Sequence, residues 1–225
     1  MKKLILLFIF ACGLLNAAIA YVQGAEGTGT SSPLAYALPG DATAGNLIVV
    51  NIKAFTATIT SITDSRSNTY TLAVTHTYWW TQSIYYAKNI VGGSNTITIA
   101  FTGDTVLAAS HEYSGLDTTS PLDKTSSAEG GSGAGDSGAQ TTTVADELIF
   151  GAASSGAYMN GLAGSGFTQR KVIDYGGGCI SEEKIVSSTG SYSASFLDSG
   201  SSWMAAMATF KGASAAARRR VVIVQ

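Results

Sequence analysis

The sequence predicts an all-β protein, a two-sheet antiparallel β-sandwich, and its composition and an internal repeat carry this prediction. Only 12% of the 225 residues are charged, whereas Ser, Thr, Gly, Ala, Val and Ile dominate. Small and β-branched residues suit pleated, half-buried strands that are joined by Gly- and Ser-rich turns. Because no segment has a convincing helical period, we expect regular short strands along the chain.

The internal repeat consists of three short motifs that occur twice in the same order, with offsets between 95 and 101 residues. A solenoid would have a period of about 20–50 residues, so this longer spacing indicates one β-meander written twice. The repeat predicts a pseudo-twofold arrangement of two halves with jelly-roll-like topology. The motif pairs are Gly45–Val50 with Asp146–Gly151, Asn95–Phe101 with Ser191–Phe196, and Val106–Ala109 with Trp203–Ala206.

The chain starts with a targeting segment. A Lys2-Lys3 pair precedes an apolar run over Leu4–Leu15, and Ala18–Ala20 has the small-x-small pattern of a cleavage site. The run is shorter than the ~20 residues that span a bilayer, so residues 1–20 are predicted to be a secretory signal peptide. We expect a secreted, extracellular protein, with the periplasm or a virion surface as alternatives. A lipidated start at Cys12 is a further alternative.

After this segment, residues 21–212 have the length of a single sandwich domain, with halves at about 21–124 and 140–212. The first half is predicted to contain strands at Tyr21–Gln23, Leu34–Ala37, Asn46–Ala54, Thr58–Thr63, Thr69–Val74, Trp79–Asn89, Asn95–Phe101 and Thr105–Tyr113. The second half is predicted to contain strands at Gln140–Val144, Glu147–Ser154, Phe167–Asp174, Cys179–Val186, Ser191–Phe196 and Trp203–Lys211. The inner faces are expected to carry Leu47, Val49, Ile97, Ile99, Phe101, Leu107, Leu148, Phe150, Phe196 and Phe210.

Two segments are predicted to lie outside the strands of the sandwich. Thr125–Ala139 is almost entirely Ser, Gly, Ala and acidic residues, so we expect a flexible loop that joins the halves. Residues 213–225 are predicted to be a small-residue tether and a tail. Within the tail, Arg218–Arg220 are expected to be solvated, with binding to a phosphate or acidic partner as the alternative. Val221–Val224 are expected to pair with the domain's own edge, with a homo-oligomer joined through this strand as the alternative.

Charge and cysteine content narrow the classes of function. The chain carries 13 Lys and Arg against 15 Asp and Glu, and three of the positive charges are the tail's Arg218–Arg220. The acidic body argues against nucleic-acid binding, which requires a basic face. After the signal peptide only Cys179 remains, so no internal disulfide can form. We expect a buried thiol, with an intermolecular bridge as the alternative.

Few residues offer catalytic chemistry. The chain has two histidines, and no zinc-protease or serine-hydrolase motif occurs. On a strand, His111 and Glu112 point to opposite faces, and so do Glu182 and Glu183. Glu112 with Glu182 or Glu183 would supply the carboxylate pair of a polysaccharide-cleaving enzyme. Solvent-facing charges are the favoured interpretation of these residues.

No metal and no cofactor are predicted. The strongest candidate for a Ca²⁺ loop is Asp64–Asn68, where Asp and Asn oxygens are hard ligands. One carboxylate is too few for the usual six to eight ligands. We therefore expect Asp64 and Asn68 to form an Asx-type turn between two strands.

An aromatic cluster is the best candidate for a binding site, with five aromatic residues between Tyr78 and Tyr86. Strand alternation puts Tyr78 and Trp80 on one face and Trp79 and Tyr85 on the other, and one of these faces must be core. Flat rings stack well on the C–H face of sugars, and Tyr and Trp are frequent binding hot spots. Packing between strands is the alternative. The predicted ligand-binding residues are Tyr78, Trp79, Trp80, Gln82 and Tyr85, with Asn160 as a helper.

Several short motifs resemble a recurrent kind of uncharacterised β-sandwich protein from bacteria and their phages. The matching segments cover most of the chain after the signal peptide: Ala20–Gln23, Ala44–Val50, Asp64–Ser65, Asn68–Tyr70, Tyr85–Lys88, Glu112–Leu116, Trp203 and Phe210–Lys211. The resemblance implies a jelly-roll-like, lectin-like module found on secreted proteins and virion surfaces, and it transfers no catalytic residue. Because members often lack a signal peptide, residues 1–20 favour a secreted cellular protein.

Three hypotheses on function follow. The leading one is a non-enzymatic extracellular binding module for glycans or a cell-surface ligand. The second is a structural subunit of a virion or surface assembly that is joined through Val221–Val224. The third and weakest is a polysaccharide-cleaving enzyme that uses Glu112 and a second carboxylate.

Overall fold

The structure is a computed structural model that describes residues 18–157, 163–197 and 200–214. Within these ranges the chain is all-β, with antiparallel sheets packed against each other, which confirms the predicted class of fold. The predictions made for Cys12, Asn160, Arg218–Arg220 and Val221–Val224 lie outside the described residues. In the described part of the chain, no helix is long and apolar enough to cross a membrane.

Seventeen strands are described in chain order. Those of the first half are β1 (Ala20–Gly29), β2 (Leu34–Ala37), β3 (Leu47–Ala54), β4 (Thr58–Asp64), β5 (Thr71–Thr77), β6 (Thr81–Ala87), β7 (Thr96–Thr102) and β8 (Val106–Ser114). Those that follow are β9 (Leu122–Gly130), β10 (Gly135–Asp136), β11 (Gln140–Thr141), β12 (Asp146–Ser155), β13 (Thr168–Ile173), β14 (Cys179–Ser187), β15 (Ser191–Tyr192), β16 (Ser195–Phe196) and β17 (Trp203–Lys211).

Two five-stranded sheets form the centre of the molecule. The first main sheet has the order β1-β8-β3-β6-β5, and the second main sheet has the order β13-β14-β12-β17-β9. Smaller sheets lie on their outer faces. The three-stranded sheet β2-β7-β4 covers the first main sheet, and the two-stranded pairs β10-β16 and β11-β15 cover the second.

The two main sheets have the same strand order when the strands are matched along the sequence. In place of β1, β8, β3, β6 and β5, the second main sheet has β9, β17, β12, β14 and β13. The match extends to single residues. Ile48 of β3 pairs with Glu112 of β8. The equivalent residue of β12, Ile149, lies 101 residues after Ile48 and pairs with Thr209 of β17. The pseudo-twofold symmetry and the jelly-roll-like topology stay predictions.

A central core lies between the two main sheets and is built from both halves. Its members include Leu47, Val49 and Tyr113 from the first main sheet and Phe150 and Phe210 from the second. Separate outer cores lie beneath the covering sheets. Strands β3 and β12 are buried on both faces, which is why they have nearly continuous apolar runs instead of alternation. Burying one such side chain contributes ~1.5–3 kcal/mol.

All ten predicted core residues are buried, but they do not share one core. Leu47, Val49, Leu148, Phe150 and Phe210 belong to the central core. The other five are divided among the outer cores and a small cluster around Leu107: Ile97, Ile99 and Phe101 under β2-β7-β4, Phe196 under the second cover, and Leu107 itself. A repeat that carries its own covering sheet in each half needs several cores, and the sequence pattern did not reveal this.

The prediction of a flexible loop over Thr125–Ala139 is wrong for much of this segment, which forms strands. Strand β9 runs through Gly130 and pairs with β17 at the edge of the second main sheet, and β10 follows. An edge strand is held by its backbone hydrogen bonds and needs few apolar side chains, so a Ser- and Gly-rich sequence can form it. Strand β9 thus belongs to the second main sheet, although it lies before residue 140 in the chain.

Two local predictions are confirmed. The Asp64 carboxylate accepts hydrogen bonds from the backbone nitrogens of Arg66 and Asn68, at 3.0 and 2.9 Å, which is the expected Asx-type turn. Burial tends to raise the pKa of Asp64, but hydrogen bonds from Asn95, Asn68 and Tyr70 outweigh it, so the pKa is lowered. Cys179 is buried as a free thiol.

The predicted cleavage site lies at the beginning of β1. Ala20 pairs with Ser114, and the neighbouring Ile19 packs against the central core. Tyr21, the predicted first residue after cleavage, also packs there. The signal peptide itself stays a prediction.

Candidate functional site

Three of the five residues of the aromatic cluster, Tyr78, Trp79 and Trp80, lie in the turn between β5 and β6. The predicted strand Trp79–Asn89 is therefore shorter in the structure, where β6 spans Thr81–Ala87. Thr77 pairs with Thr81, and the three residues between them form a tight loop in which the Tyr78 nitrogen donates to the Trp80 carbonyl at 3.0 Å. Three-residue hairpin loops are common connections between antiparallel strands. The direction of each ring is therefore set by the loop and not by strand alternation.

The loop exposes two of its three rings. Tyr78 is 63% exposed and Trp79 is 44% exposed, whereas Trp80 is only 7% exposed. The Tyr78 and Trp79 rings meet edge to face, with centroids 4.5 Å apart and planes at 90°. Trp79 also lies against the Trp80 ring at 5.8 Å. The exposed pair, Tyr78 and Trp79, therefore rests on a buried ring and is held in one arrangement.

Trp80 is anchored to the second half of the molecule. Its indole nitrogen donates to the Ser154 hydroxyl of β12 at 2.6 Å. The ammonium of Lys53, at the end of β3, lies 4.5 Å from the centre of its ring. A buried indole N–H requires a partner, and a cation over the ring face adds attraction. Trp80 is thus a structural support for the exposed pair.

Lys53 is fully buried, which is rare for a lysine. Its ammonium donates to the carbonyls of Ser155, Gly176 and Gly178 at 2.8, 3.2 and 3.3 Å. The Phe55 ring lies 4.4 Å away, so the ammonium has aromatic rings as well as carbonyls around it. Burial lowers the pKa of Lys53 to about 8, and the nearby Cys179 opposes that shift.

Two of the carbonyls that accept from Lys53, those of Gly176 and Gly178, belong to a turn of three consecutive glycines. Gly176, Gly177 and Gly178 have φ values of +53°, +90° and +67°, in the left-handed region. A Cβ on Gly177 would lie 2.3 Å from the Ser155 carbonyl oxygen. Tyr175, directly before this glycine turn, is 47% exposed and adds an aromatic ring at the same end of the sandwich.

Gln82 and Tyr85 do not join the exposed pair. Gln82 lies on β6, is fully buried, and donates to the Asn51 side-chain oxygen and to the Ile52 carbonyl. Asn51 in turn donates to the Cys179 sulfur of β14 at 3.1 Å. Tyr85 is half-buried against the first outer core. Strand position alone could not distinguish these buried residues from the exposed ones.

The carboxylates proposed for polysaccharide cleavage are not brought together. Glu112 lies on the outer face of the first main sheet and accepts from Thr43, Asn46 and Gln23. Glu182 lies on the outer face of the second main sheet and accepts from the Gly164 nitrogen at 2.7 Å. Both main sheets therefore separate the two groups. Burial raises the pKa of Glu182 to about 8, against hydrogen bonds from Gly164 and Ser195.

Glu183 points to the inner face and forms an ion pair with Arg170 of β13. Burial raises the pKa of the Tyr113 hydroxyl, and the negative charge of Glu183 raises it further. The Arg170 guanidinium lies 3.9 Å from the centre of the Tyr21 ring. Glu183 is thus held in a structural contact between the main sheets.

A serine–histidine contact was missed by the sequence analysis. The Ser181 hydroxyl and His111 Nε2 are 2.9 Å apart across the central core, and both residues are fully buried. Burial, with Lys171 and Arg170 nearby, lowers the pKa of His111 to about 3, so the ring is neutral. His111 Nδ1 has no hydrogen-bond partner among the described residues, so no third group orients the ring from its other side. The pair lacks the third group of a catalytic triad, and it joins β8 to β14 structurally.

Two grooves lie at the end of the sandwich opposite the aromatic turn. One, of about 350 Å³, is lined mainly by polar residues: Ser67, Asn68, Thr69, Thr71, Lys88, Asn89, Val91 and Thr118. The other, of about 340 Å³, is lined by residues that include Ile19, Asp146 and Gly212. Neither groove includes a residue of the aromatic turn, so the exposed pair does not lie beside them.

Among the described residues, no group of three or more His, Cys, Asp or Glu side chains could hold a metal ion. Comparison with known protein families, with curated proteins and with solved structures finds no match to this chain. The argument for function therefore rests on the geometry of the aromatic end, which comprises Tyr78, Trp79, Trp80, Lys53 and the glycine turn.

Proposed function

We propose that this chain is a non-enzymatic extracellular binding module that contacts a glycan with the exposed rings of Tyr78 and Trp79. One observation carries the proposal: two large aromatic side chains are exposed on a short turn whose third aromatic residue is locked into the core. Exposed aromatic rings that are fixed from beneath indicate an interaction surface, because a molecule gains nothing in stability from leaving them in water.

The chemistry of the aromatic end suits a sugar. A flat ring stacks on the C–H face of a pyranose, and the perpendicular Tyr78 ring offers a second wall with a hydroxyl at its edge. Because the Trp79 ring already rests on Trp80, little side-chain entropy would be lost on binding. Extended glycans fit this surface better than a single terminal sugar, which would require an enclosing pocket.

Polar partners for sugar hydroxyl groups lie next to the turn. His76, two residues before Tyr78, contacts Glu129 of β9, with 2.5 Å between His76 Nε2 and Glu129 Oε2. Both side chains are partly exposed. His76 Nδ1 is also 3.2 Å from the Ser127 hydroxyl. The Glu129 carboxylate, which the His76 imidazole holds in place near the two aromatic rings, would accept hydrogen bonds that orient a bound glycan.

The proposal is tested by a glycan array and a polysaccharide pull-down with the full chain and with Trp79→Ala. We expect specific retention of the wild type and at least a tenfold loss in the variant, because hot-spot tryptophans contribute about 2 kcal/mol or more. Leu72→Ala is the matched control, since Leu72 is a 43% exposed apolar residue on β5 outside the turn.

Retention that is equal in the wild type and both variants would place the glycan site elsewhere and overturn the proposal. Absence of any glycan binding by the wild type would also overturn it. In that case the assembly-subunit hypothesis is next, and deletion of residues 218–225 would test whether an oligomer becomes a monomer.

A further inference from the structure

We propose that Lys53 is the positioning residue of the aromatic end, and that through it the second half of the molecule holds the binding turn of the first half in place. The role of Lys53 in binding rests on the proposed function, but the contacts that Lys53 makes can be tested without a ligand. Lys53 does not touch solvent and would not contact a glycan itself.

The first step of the argument is where the ammonium donates. Lys53 belongs to β3 of the first main sheet, yet its three acceptors, on Ser155, Gly176 and Gly178, all belong to the second half. An ammonium has three donors, and here three carbonyl oxygens accept from it. The side chain therefore ties the end of β3 to the end of β12 and to the glycine turn.

The second step is what the ammonium touches besides these carbonyls. The Trp80 and Phe55 rings lie at 4.5 and 4.4 Å from Lys53 Nζ. Trp80 in turn donates to Ser154, directly before Ser155. Trp79 rests on Trp80. A continuous set of contacts thus leads from the glycine turn through Lys53 and Trp80 to the exposed rings.

The third step concerns stability. Moving an ammonium out of water costs several kcal/mol, and carbonyl dipoles and ring faces offset this cost less well than a carboxylate would. An apolar side chain at this position would avoid that cost, but it would leave the three carbonyls without a donor. We therefore explain Lys53 by the arrangement that it imposes on three carbonyls and two rings, and not by a large net contribution to stability.

The test compares Lys53→Met, which keeps the shape of the stem, with Lys53→Ala, which leaves an empty space among the carbonyls. Two readouts are used: the indole ¹H–¹⁵N signals of Trp79 and Trp80, and retention on the glycan that binds the wild type. We expect both indole signals to move in both variants and retention to fall about tenfold. We also expect Lys53→Met to fold, with an unfolding temperature below that of the wild type, because the three carbonyls lose their donor.

Chemical rescue gives the experiment its specificity. n-Propylammonium replaces the atoms that Lys53→Ala removes, so adding it should restore the Trp80 signal and glycan retention. n-Propanol, which has a similar size and no charge, should restore neither. Lys53→Met has no space for the additive and should stay unchanged, which makes it the matched control for effects of propylammonium on the solvent or on the glycan.

The outcomes separate the two proposals. If Lys53→Met folds, keeps the wild-type indole signals and binds as the wild type does, Lys53 is not a positioning residue. If Lys53→Ala does not fold, Lys53→Met decides the question. If the wild type binds no glycan, the proposed function fails, and the indole signals and their rescue by propylammonium still test the role of Lys53.

Discussion

Two turns at the same end of the molecule occupy matching places in the two main sheets but have different roles. The β5–β6 turn carries Tyr78, Trp79 and Trp80, whereas the β13–β14 turn carries Tyr175 followed by three glycines. The first turn contributes rings, and the second contributes backbone carbonyls. The two halves therefore share a strand arrangement but not a candidate site. The turn of the first half exposes aromatic side chains, and the turn of the second half helps to hold them in place.

The contacts between the turns cross from half to half. Lys53 and Ser154 lie 101 residues apart, at matching positions of β3 and β12. Lys53 donates to the glycine turn of the second half, and Ser154 accepts from Trp80 in the turn of the first half. Each half therefore holds the other's turn, which predicts that damage to the glycine turn is felt at the aromatic turn.

The largest effect on stability is expected when a glycine of the glycine turn is replaced. In Gly177→Ala the new Cβ would lie 2.3 Å from the Ser155 oxygen, at a backbone φ of +90°. Strain and clash together should cost about 3–5 kcal/mol, measured by urea unfolding. The Trp80 indole signal should also move, because the displaced Ser155 carbonyl is an acceptor for Lys53.

Gly45→Ala is the matched control for this prediction. Gly45 has a φ of +88°, and a Cβ added there would have no atom within 4 Å, so its substitution adds strain without a clash. It should cost about 1 kcal/mol and leave the tryptophan signals unchanged. Equal losses of stability in Gly177→Ala and Gly45→Ala would contradict the account of the glycine turn.

A second difference between the halves lies on the outer faces of β6 and β14. Tyr85 pairs with Val50, and Glu182 pairs with Gly151 at the matching position. Burial raises the pKa of the Glu182 carboxyl to about 8, so the folded protein keeps a proton that the unfolded chain releases near pH 4.5. The contribution of Glu182 to stability is thus complete at low pH and is lost as the pH rises toward 8.

Glu182→Gln, which is neutral at every pH, should lack this dependence. The free energy of unfolding of the variant relative to the wild type should increase by about 1–3 kcal/mol between pH 4.5 and 8, and then stay level. Thermal or urea unfolding across this range measures it. Parallel pH profiles of the two proteins would show that Glu182 is ionised in the folded state. Tyr85→Phe, the matching change in the first half, should be parallel to the wild type over the same range.

Composition and the repeated motifs predicted the all-β class and the buried core residues. The residue types also predicted the turn at Asp64 and the buried thiol of Cys179. The edge strand β9 was not predicted, because backbone pairing alone holds a Ser- and Gly-rich segment in place. The several cores were not predicted either, because burial on both faces of β3 gives an apolar run without saying what covers each face.

The candidate site was predicted only in part. The aromatic composition pointed to the correct segment, but a three-residue turn occupies the position where the strand was expected to begin, so Trp80 is buried and Trp79 exposed. Lys53 gave no signal, since one lysine at the end of an apolar strand is typical of a solvated charge. The polar partners of matching residues also differ between the halves. Asn46 of the first half donates to Glu112, whereas Glu147, at the matching position of the second half, interacts with Thr209.

The central claim is that Trp79 touches the ligand while Trp80 supports it. The chain has three tryptophans, so three indole ¹H–¹⁵N signals report on Trp79, Trp80 and Trp203, which donates to the Ser132 carbonyl. The most direct measurement is a titration of the ¹⁵N-labelled protein with the glycan that the array identifies. The account predicts that the Trp79 signal shifts most and that the Trp203 signal stays in place. A Trp79 signal that does not move while the glycan binds would contradict it.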